Sequence, residues 1–305
     1  MNEEILYVHT SGGRSGHILK DVFTSVILGE LLNLKTVYSD SWYKQKILDI
    51  QNVKAVIPSP QNSNRIYLTP RINLIRQKIR IGIIRKIIRK YLICEFFDGI
   101  SPEVFEKFKK IVDVNRHRKN VLYITSGVYR IHLYQVANWE LLGLVKKGSY
   151  EKIRSKLIKM YWGEEEPNKP NLEVKNIVIH ARRGDVADPS DKHYFTMGPG
   201  NWTIDFYREK IGKIRKMYPQ AKITVLSEKL NSEDLSTIPG VSLDLGDVED
   251  IQRHFKMMVT ADLFMPADSS LSTWAAYLSE GKILVTEKTI KHFDFLKEPE
   301  SWIRL

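Results

Sequence analysis

The chain of 305 residues contains one cysteine, Cys94, so no internal disulfide can form and no cluster of thiolates can hold a structural zinc. No run of about 18 apolar residues occurs, and the opening MNEEILYVHT is acidic and then strand-like. A membrane-spanning helix and a secretory leader are therefore not expected, and a cytoplasmic location is. Also missing are an Asp-x-Asp pair and any close His and carboxylate cluster with ligand spacing, so neither a metal nor another cofactor is expected. Acids are absent from residues 50–94.

What is present is an excess of base. There are 47 Lys and Arg against 36 Asp and Glu, a net charge of +11. Residues 1–170 hold 29 basic and 16 acidic side chains, residues 171–305 hold 18 and 20, so the excess belongs to the first half. The segment RINLIRQKIRIGIIRKIIRKY (71–91) sets Ile72, Ile75, Ile79, Ile83, Ile87 and Tyr91 at helical spacing among eight Arg and Lys. It reads either as a helix packed by its isoleucine stripe with a solvated basic face, or as a peripheral contact with anionic lipid. The aromatic interleaving, zinc spacing and motifs of nucleic-acid modules are missing, so a nucleic-acid partner is not expected.

Strand and helix patterns alternate. Ile5–Val8, Leu34–Tyr38 and Asn120–Ile124 read as strands, with Thr10 to Gly16 a glycine-rich turn into a helix over His17–Leu34. The charged, proline-interrupted stretch 163–173 reads as a linker, placing domains at 1–165 and 174–305. Beyond it come strands at Asn176–His180, Ala221–Leu226, Val241–Leu243, Leu263–Met265 and Ile283–Val285. Helices at Trp202–Tyr218, Glu249–Thr260 and Ser272–Ser279 alternate with them, as a doubly wound, parallel α/β sheet requires.

Three motifs carry chemistry. His180-Ala181-Arg182-Arg183-Gly184-Asp185 follows the strand NIVIH, at the carboxyl end where open α/β sheets bind ligands. Its guanidinium forks suit phosphate oxygens, or else pair with Asp185 and Asp188 in a surface turn. Asp268-Ser269-Ser270-Leu271-Ser272-Thr273 opens a helix whose first amides and hydroxyls make an anion site, or a plain N-cap. Gly12-Gly13-Arg14-Ser15-Gly16 lacks the Lys-Ser/Thr ending of a P-loop and the spacing of the dinucleotide fingerprint.

The His180 to Asp185 stretch resembles the His-x-Arg-Arg-Gly-Asp signature of the fucosyltransferase superfamily. That group includes the alpha-1,2-fucosyltransferases and, more distantly, the N-glycan-core and protein O-fucosyltransferases. Ser269 to Leu278 is similar to its Ser-x-Phe-Ser-x-Trp-Ala-Ala-Tyr-Leu stretch, and Ser11-Gly12-Gly13 to His17 to its N-terminal glycine loop. The resemblance implies a GT-B fold: two Rossmann-like domains facing across a cleft, an acceptor-side domain first and a nucleotide-sugar donor domain second.

It also implies an inverting, metal-independent transfer from a nucleotide-sugar, GDP-fucose first, to a saccharide hydroxyl. Arg182 would support the departing diphosphate, His180 would approach the nucleoside, and Ser269, Ser270 and Ser272 with Leu271 would sit by the pyrophosphate. Gly12, Gly13, Arg14 and Arg183 would complete the donor contacts. Asp185, Asp188 and Asp191 are the candidates for the base that deprotonates the acceptor, and Asp185 could equally lock Arg182.

Departures from the pattern bear on the donor. Leu271 stands for the usual Phe, Thr273 for the first Trp, and the acidic helix-start position falls on Asp250 or, in another register, on Arg253. A UDP-sugar or another GDP-sugar is the alternative donor, and a non-catalytic nucleotide- or glycan-binding module the alternative function. A lipid-linked acceptor would account for the basic first half.

Overall fold

The computed structural model describes residues 4–8, 23–24, 26–34, 36–39, 92–96, 101–116, 121–125, 131–162, 173–183, 203–229, 232–247, 250–287, 289–290 and 302–305. Structural statements below concern these residues. They form two compact units that divide between Gly163 and Glu164.

The first unit is built on a parallel sheet of β1 (Glu4–Val8), β2 (Thr36–Ser39), β3 (Leu92–Phe96) and β4 (Val121–Thr125), in the order β2-β1-β4-β3. Residues 26–31 are helical, within the helix expected over His17–Leu34; residues 17–22 of that helix lie outside the described residues. Three further helices, Pro102–Asn115, Leu133–Leu141 and Ser149–Trp162, lie where the sequence pattern marks no element, as does β3.

Their cause is local all the same. Ser101 caps the first of these helices by accepting from the Val104 amide at 3.3 Å, Pro102 suits its first turn, and Glu103 complements the dipole. Phe105, Phe108 and Val112 then fall on one buried stripe, and Phe105 stacks on Trp139 with ring centroids 4.3 Å apart. Thr24 and Ile131, 107 residues apart, join the packing through Oγ1, which accepts the Ile131 amide at 3.1 Å.

The second unit carries six parallel strands: β5 (Asn176–His180), β6 (Lys222–Glu228), β7 (Ser242–Gly246), β8 (Leu263–Met265), β9 (Lys282–Val285) and β10 (Trp302–Arg304). Their order is β10-β9-β8-β5-β6-β7. From β5 the chain steps outward through β6 and β7, then returns to β8 on the other side of β5 and steps the opposite way. The sheet therefore reverses direction between β5 and β8, and a crevice opens at the carboxyl ends of those two strands.

Helices Ile204–Met217, Ile251–Val259 and Ser270–Leu278 connect the strands. Ile177 and Ile179 of β5 pack with Tyr207, Ile211 and Ile214 of the first of these helices, and with Leu263, Met265 and Leu284. The amino ends of β5 and β8 are tied by Asp262, whose Oδ2 accepts the amides of Lys175 at 3.1 Å and Asn176 at 2.8 Å. Gly281 leads into β9 where a Cβ would stand 2.0 Å from the Ala261 carbonyl oxygen, so this close approach requires glycine.

Candidate functional site

The crevice at the strand reversal is where the two strongest sequence motifs meet. Past His180, β5 pairing runs on for one residue: the Ala181 amide donates to Leu226 O at 2.8 Å. Ser227 Oγ donates to Ala181 O at 2.7 Å and lies 2.8 Å from Ser232 Oγ. This buried pair of hydroxyls anchors the segment that carries the two arginines.

The arginines differ in surroundings. Arg183 is buried, donates from Nη2 to Asp234 Oδ2 at 2.8 Å, and has its guanidinium carbon 6.0 Å from the centre of the Tyr207 ring. Burial pushes the Tyr207 phenol up, and a hydrogen bond from the Arg182 backbone reaches it. The Arg182 side chain is half-buried, and among the described residues no carboxylate pairs with it.

Across the crevice, Ser269 caps the helix Ser270–Leu278: its Oγ accepts the Ser272 amide at 3.1 Å, and its carbonyl accepts Thr273 Oγ1 at 2.9 Å. Ser272 is fully buried; its Oγ accepts the Ala267 amide at 3.2 Å and is hydrogen-bonded to His180 Nδ1. Ser270 and Leu271 are half-buried, while Trp274 to Leu278 are core, with Trp274 edge-on to Tyr277 at 5.5 Å. Burial, followed by the charges of Arg182 and His254, lowers the His180 imidazole to about 3, so the ring is neutral at ordinary pH.

A second polar cluster closes the carboxyl end of β7. Arg253 bonds both carboxylate oxygens of Asp244, with Nη2 to Oδ1 at 2.8 Å, and reaches Asp250 Oδ1 at 3.1 Å. His254 Nε2 lies 3.1 Å from Asp244 Oδ1. Asp250 Oδ2 accepts the Asp247 amide at 3.0 Å. The Arg253 guanidinium holds the Asp244 carboxyl down at about 2, and the Asp247 amide, then Arg253, lower Asp250.

Of the residues picked out by motif, His180 and Ser272 are in direct contact, with Arg182 next along the chain and Ser269, Ser270 and Leu271 at the facing helix start. Arg183 is held by Asp234 and Asp250 by Arg253. Gly12, Gly13, Arg14, Asp185, Asp188, Asp191 and the segment 71–91 lie outside the described residues. Asp234, Tyr207, Asp244 and His254 were not marked by sequence; Asp234 is 51 residues from Arg183, and no local pattern announces such a pairing. Among the described residues no helix is long and apolar enough to cross a membrane.

A family model described as Glycosyl transferase family 11 matches residues 3–304. No curated protein matches the chain. Among solved structures, a mutant of Arabidopsis thaliana FUT1 in complex with GDP is similar at 11% identity and a TM-score of 0.49, over 92% of this chain and 70% of that one. The E. coli heptosyltransferase WaaC with ADP follows at 14% and 0.37, over 93% and 87%. A UDP-N-acetylglucosamine 2-epimerase from Rickettsia bellii stands at 9% and 0.37, over 93% and 79%.

The fucosyltransferase resemblance of the motifs and the family match point the same way, and each unit carries the parallel sheet expected. Matched along nearly its whole length, the chain belongs to glycosyl transferase family 11 and is a fucosyltransferase-like glycosyltransferase.

Proposed function

We propose that the protein transfers a sugar from a nucleotide-sugar, GDP-fucose first, to a saccharide hydroxyl with inversion and without a metal. The domain from 174 to 305 binds the donor and the domain from 1 to 165 serves the acceptor. The observation that carries this reading is the contrast between the two arginines at the end of β5: Arg183 is fixed by Asp234, whereas among the described residues no carboxylate pairs with Arg182.

Departure of a nucleoside diphosphate places negative charge on the diphosphate and oxocarbenium-like character on the sugar. Arg182 supports the former with its guanidinium fork, assisted by the Ser270 hydroxyl and the first amides of the helix Ser270–Leu278. Ser269 and Ser272 act one step back, since their hydroxyls hold the helix start and His180. Gly12, Gly13 and Arg14 are further donor-binding residues in this proposal, and one of Asp185, Asp188 and Asp191 takes the proton of the acceptor hydroxyl.

A UDP-sugar, or a different GDP-sugar, is a second reading, favoured by one observation. The Asp250 carboxylate, which would pair with guanine N–H groups, already accepts from Arg253 and from the Asp247 amide. The acceptor is membrane-borne in this proposal, with the basic segment 71–91 as the peripheral contact. Flotation with anionic vesicles tests that part, and binding undiminished after neutralising the Arg and Lys of 76–90 would sink it.

The donor assignment is tested by thermal shift with GDP, UDP, CDP and ADP, each with and without EDTA. GDP should stabilise most, with EDTA making no difference. Stabilisation by none of the four would overturn the donor site, and a gain abolished by EDTA would overturn metal independence.

A further inference from the structure

The contact between Ser272 and His180 fixes more than a distance. A serine hydroxyl has one proton to give and two lone pairs, and in a neutral imidazole one nitrogen donates while the other accepts. One lone pair of Ser272 Oγ is used by the Ala267 amide at 3.2 Å. Were Nδ1 to carry the imidazole proton, it would take the other lone pair and leave the hydroxyl proton needing an acceptor elsewhere. Among the described residues none hydrogen-bonds to Ser272 Oγ apart from Ala267 and His180, and at 0% exposure no water reaches it. A buried proton without an acceptor is costly, so the hydroxyl donates to Nδ1 and the ring proton resides on Nε2.

Nε2 has no hydrogen-bond partner among the described residues, and His180 keeps 9% of its surface exposed. It belongs to the last residue of β5, beside Arg182, where the sheet reverses. We infer that Ser272 is a positioning residue that holds His180 as its neutral Nε2–H tautomer, a fixed hydrogen-bond donor for an acceptor oxygen of the bound nucleotide. The ligand part of this rests on the donor-site reading above; the tautomer part does not.

Two consequences follow for the chemistry. With Nε2 protonated and Nδ1 occupied, His180 has no free lone pair and does not take the acceptor's proton, so that base lies elsewhere. The donor hydrogen bond also persists without an imidazolium, so its strength does not follow histidine protonation across neutral pH.

Long-range proton–nitrogen correlation spectra of the whole protein labelled with nitrogen-15 histidine, at pH 7 and without ligand, test the tautomer. His180, identified by the signals lost in His180→Gln, should show a protonated Nε2 and a bare Nδ1. A protonated Nδ1, or an imidazolium, would overturn the inference whether or not any variant folds. In Ser272→Ala the Nδ1 resonance should move, because the hydrogen bond to it is lost; an unmoved Nδ1 resonance would also overturn the inference.

GDP titrations of wild type, Ser272→Ala, His180→Ala and the double variant test the route. The serine substitution should weaken GDP roughly tenfold, the loss of about one hydrogen bond. The double variant should bind no more weakly than His180→Ala. A further tenfold loss in the double variant would mean that the serine acts on GDP without the histidine, and the positioning role would fall. If wild type does not bind GDP, the donor reading fails, while the spectra still decide the tautomer.

Discussion

Arg183 and Asp234 close an ion pair of 2.8 Å across 51 residues, with the arginine side chain 11% exposed and the carboxylate 43%. In the function proposed above, the pair separates two adjacent arginines into a structural one and a chemical one. Removing Arg183 strips a nearly buried cation from its partner and from the Tyr207 face, so Arg183→Ala should cost stability on the order of 1–3 kcal/mol. Arg182→Ala should leave the melting temperature within a degree or two of wild type and reduce turnover by about 10²–10³, as expected for a leaving-group contact. Equal melting losses in the two variants would contradict this division; calorimetry and an activity assay on the same preparations decide it.

The acid side of the stability profile should show two windows. His180 is held neutral in the folded protein down to about 3, against an ordinary value of 6.5, whereas the unfolded chain takes up the proton near 6.5. Its contribution is therefore present above 6.5 and is lost as pH falls from there toward 3. Asp244 is depressed from 3.8 to about 2, so its contribution is present above 3.8 and is lost between there and 2. Denaturant midpoints against pH should flatten in the upper window for His180→Gln and in the lower one for Asp244→Asn.

Nucleotide choice should respond to the cluster at β7. If guanine is read by Asp250, freeing its carboxylate by Arg253→Ala should tighten GDP relative to UDP, and Asp250→Ala should weaken it. Calorimetric titration with both nucleotides measures the ratio. A ratio untouched by either substitution would remove Asp250 from base recognition.

Two glycines should be intolerant to different degrees. A Cβ at Gly246 would lie 2.4 Å from His254 Cε1 and 2.8 Å from Asp250 Cβ, so Gly246→Ala displaces side chains and should cost about 1–3 kcal/mol. At Gly281 the clash is with backbone, 2.0 Å from Ala261 O, in the tie between β8 and β9. Gly281→Ala should therefore cost more than Gly246→Ala, read as soluble yield and melting temperature.

The second unit was the legible one. Its strands are short apolar runs such as NIVIH, buried on both faces as in a parallel sheet, so composition and position agree. β10 escaped because three residues, Trp302–Arg304, give no periodicity to read. In the first unit the helix Pro102–Asn115 carries a cap and an apolar stripe that are plain once the register is known. The His180 and Ser269 motifs follow strands that flank the reversal, which their sequence positions after apolar runs already indicate. Their internal contacts were not legible: whether Ser272 faces a ligand or the core depends on the Ala267 amide and His180, and which arginine is ion-paired depends on Asp234 far along the chain.

Asp262 works as the set screw of a calliper. Its carboxylate joins the amides that begin β5 while its own strand begins β8, and the paired residues Ile177 to Ile179 and Leu263 to Met265 extend from that joint like two rigid arms. The jaws are His180 on one arm, about 13 Å from the joint at the usual rise of a strand, and the loop leading to Ser272 on the other. A few tenths of an ångström lost at the screw would be felt at the jaws, where a single hydrogen bond registers the gap.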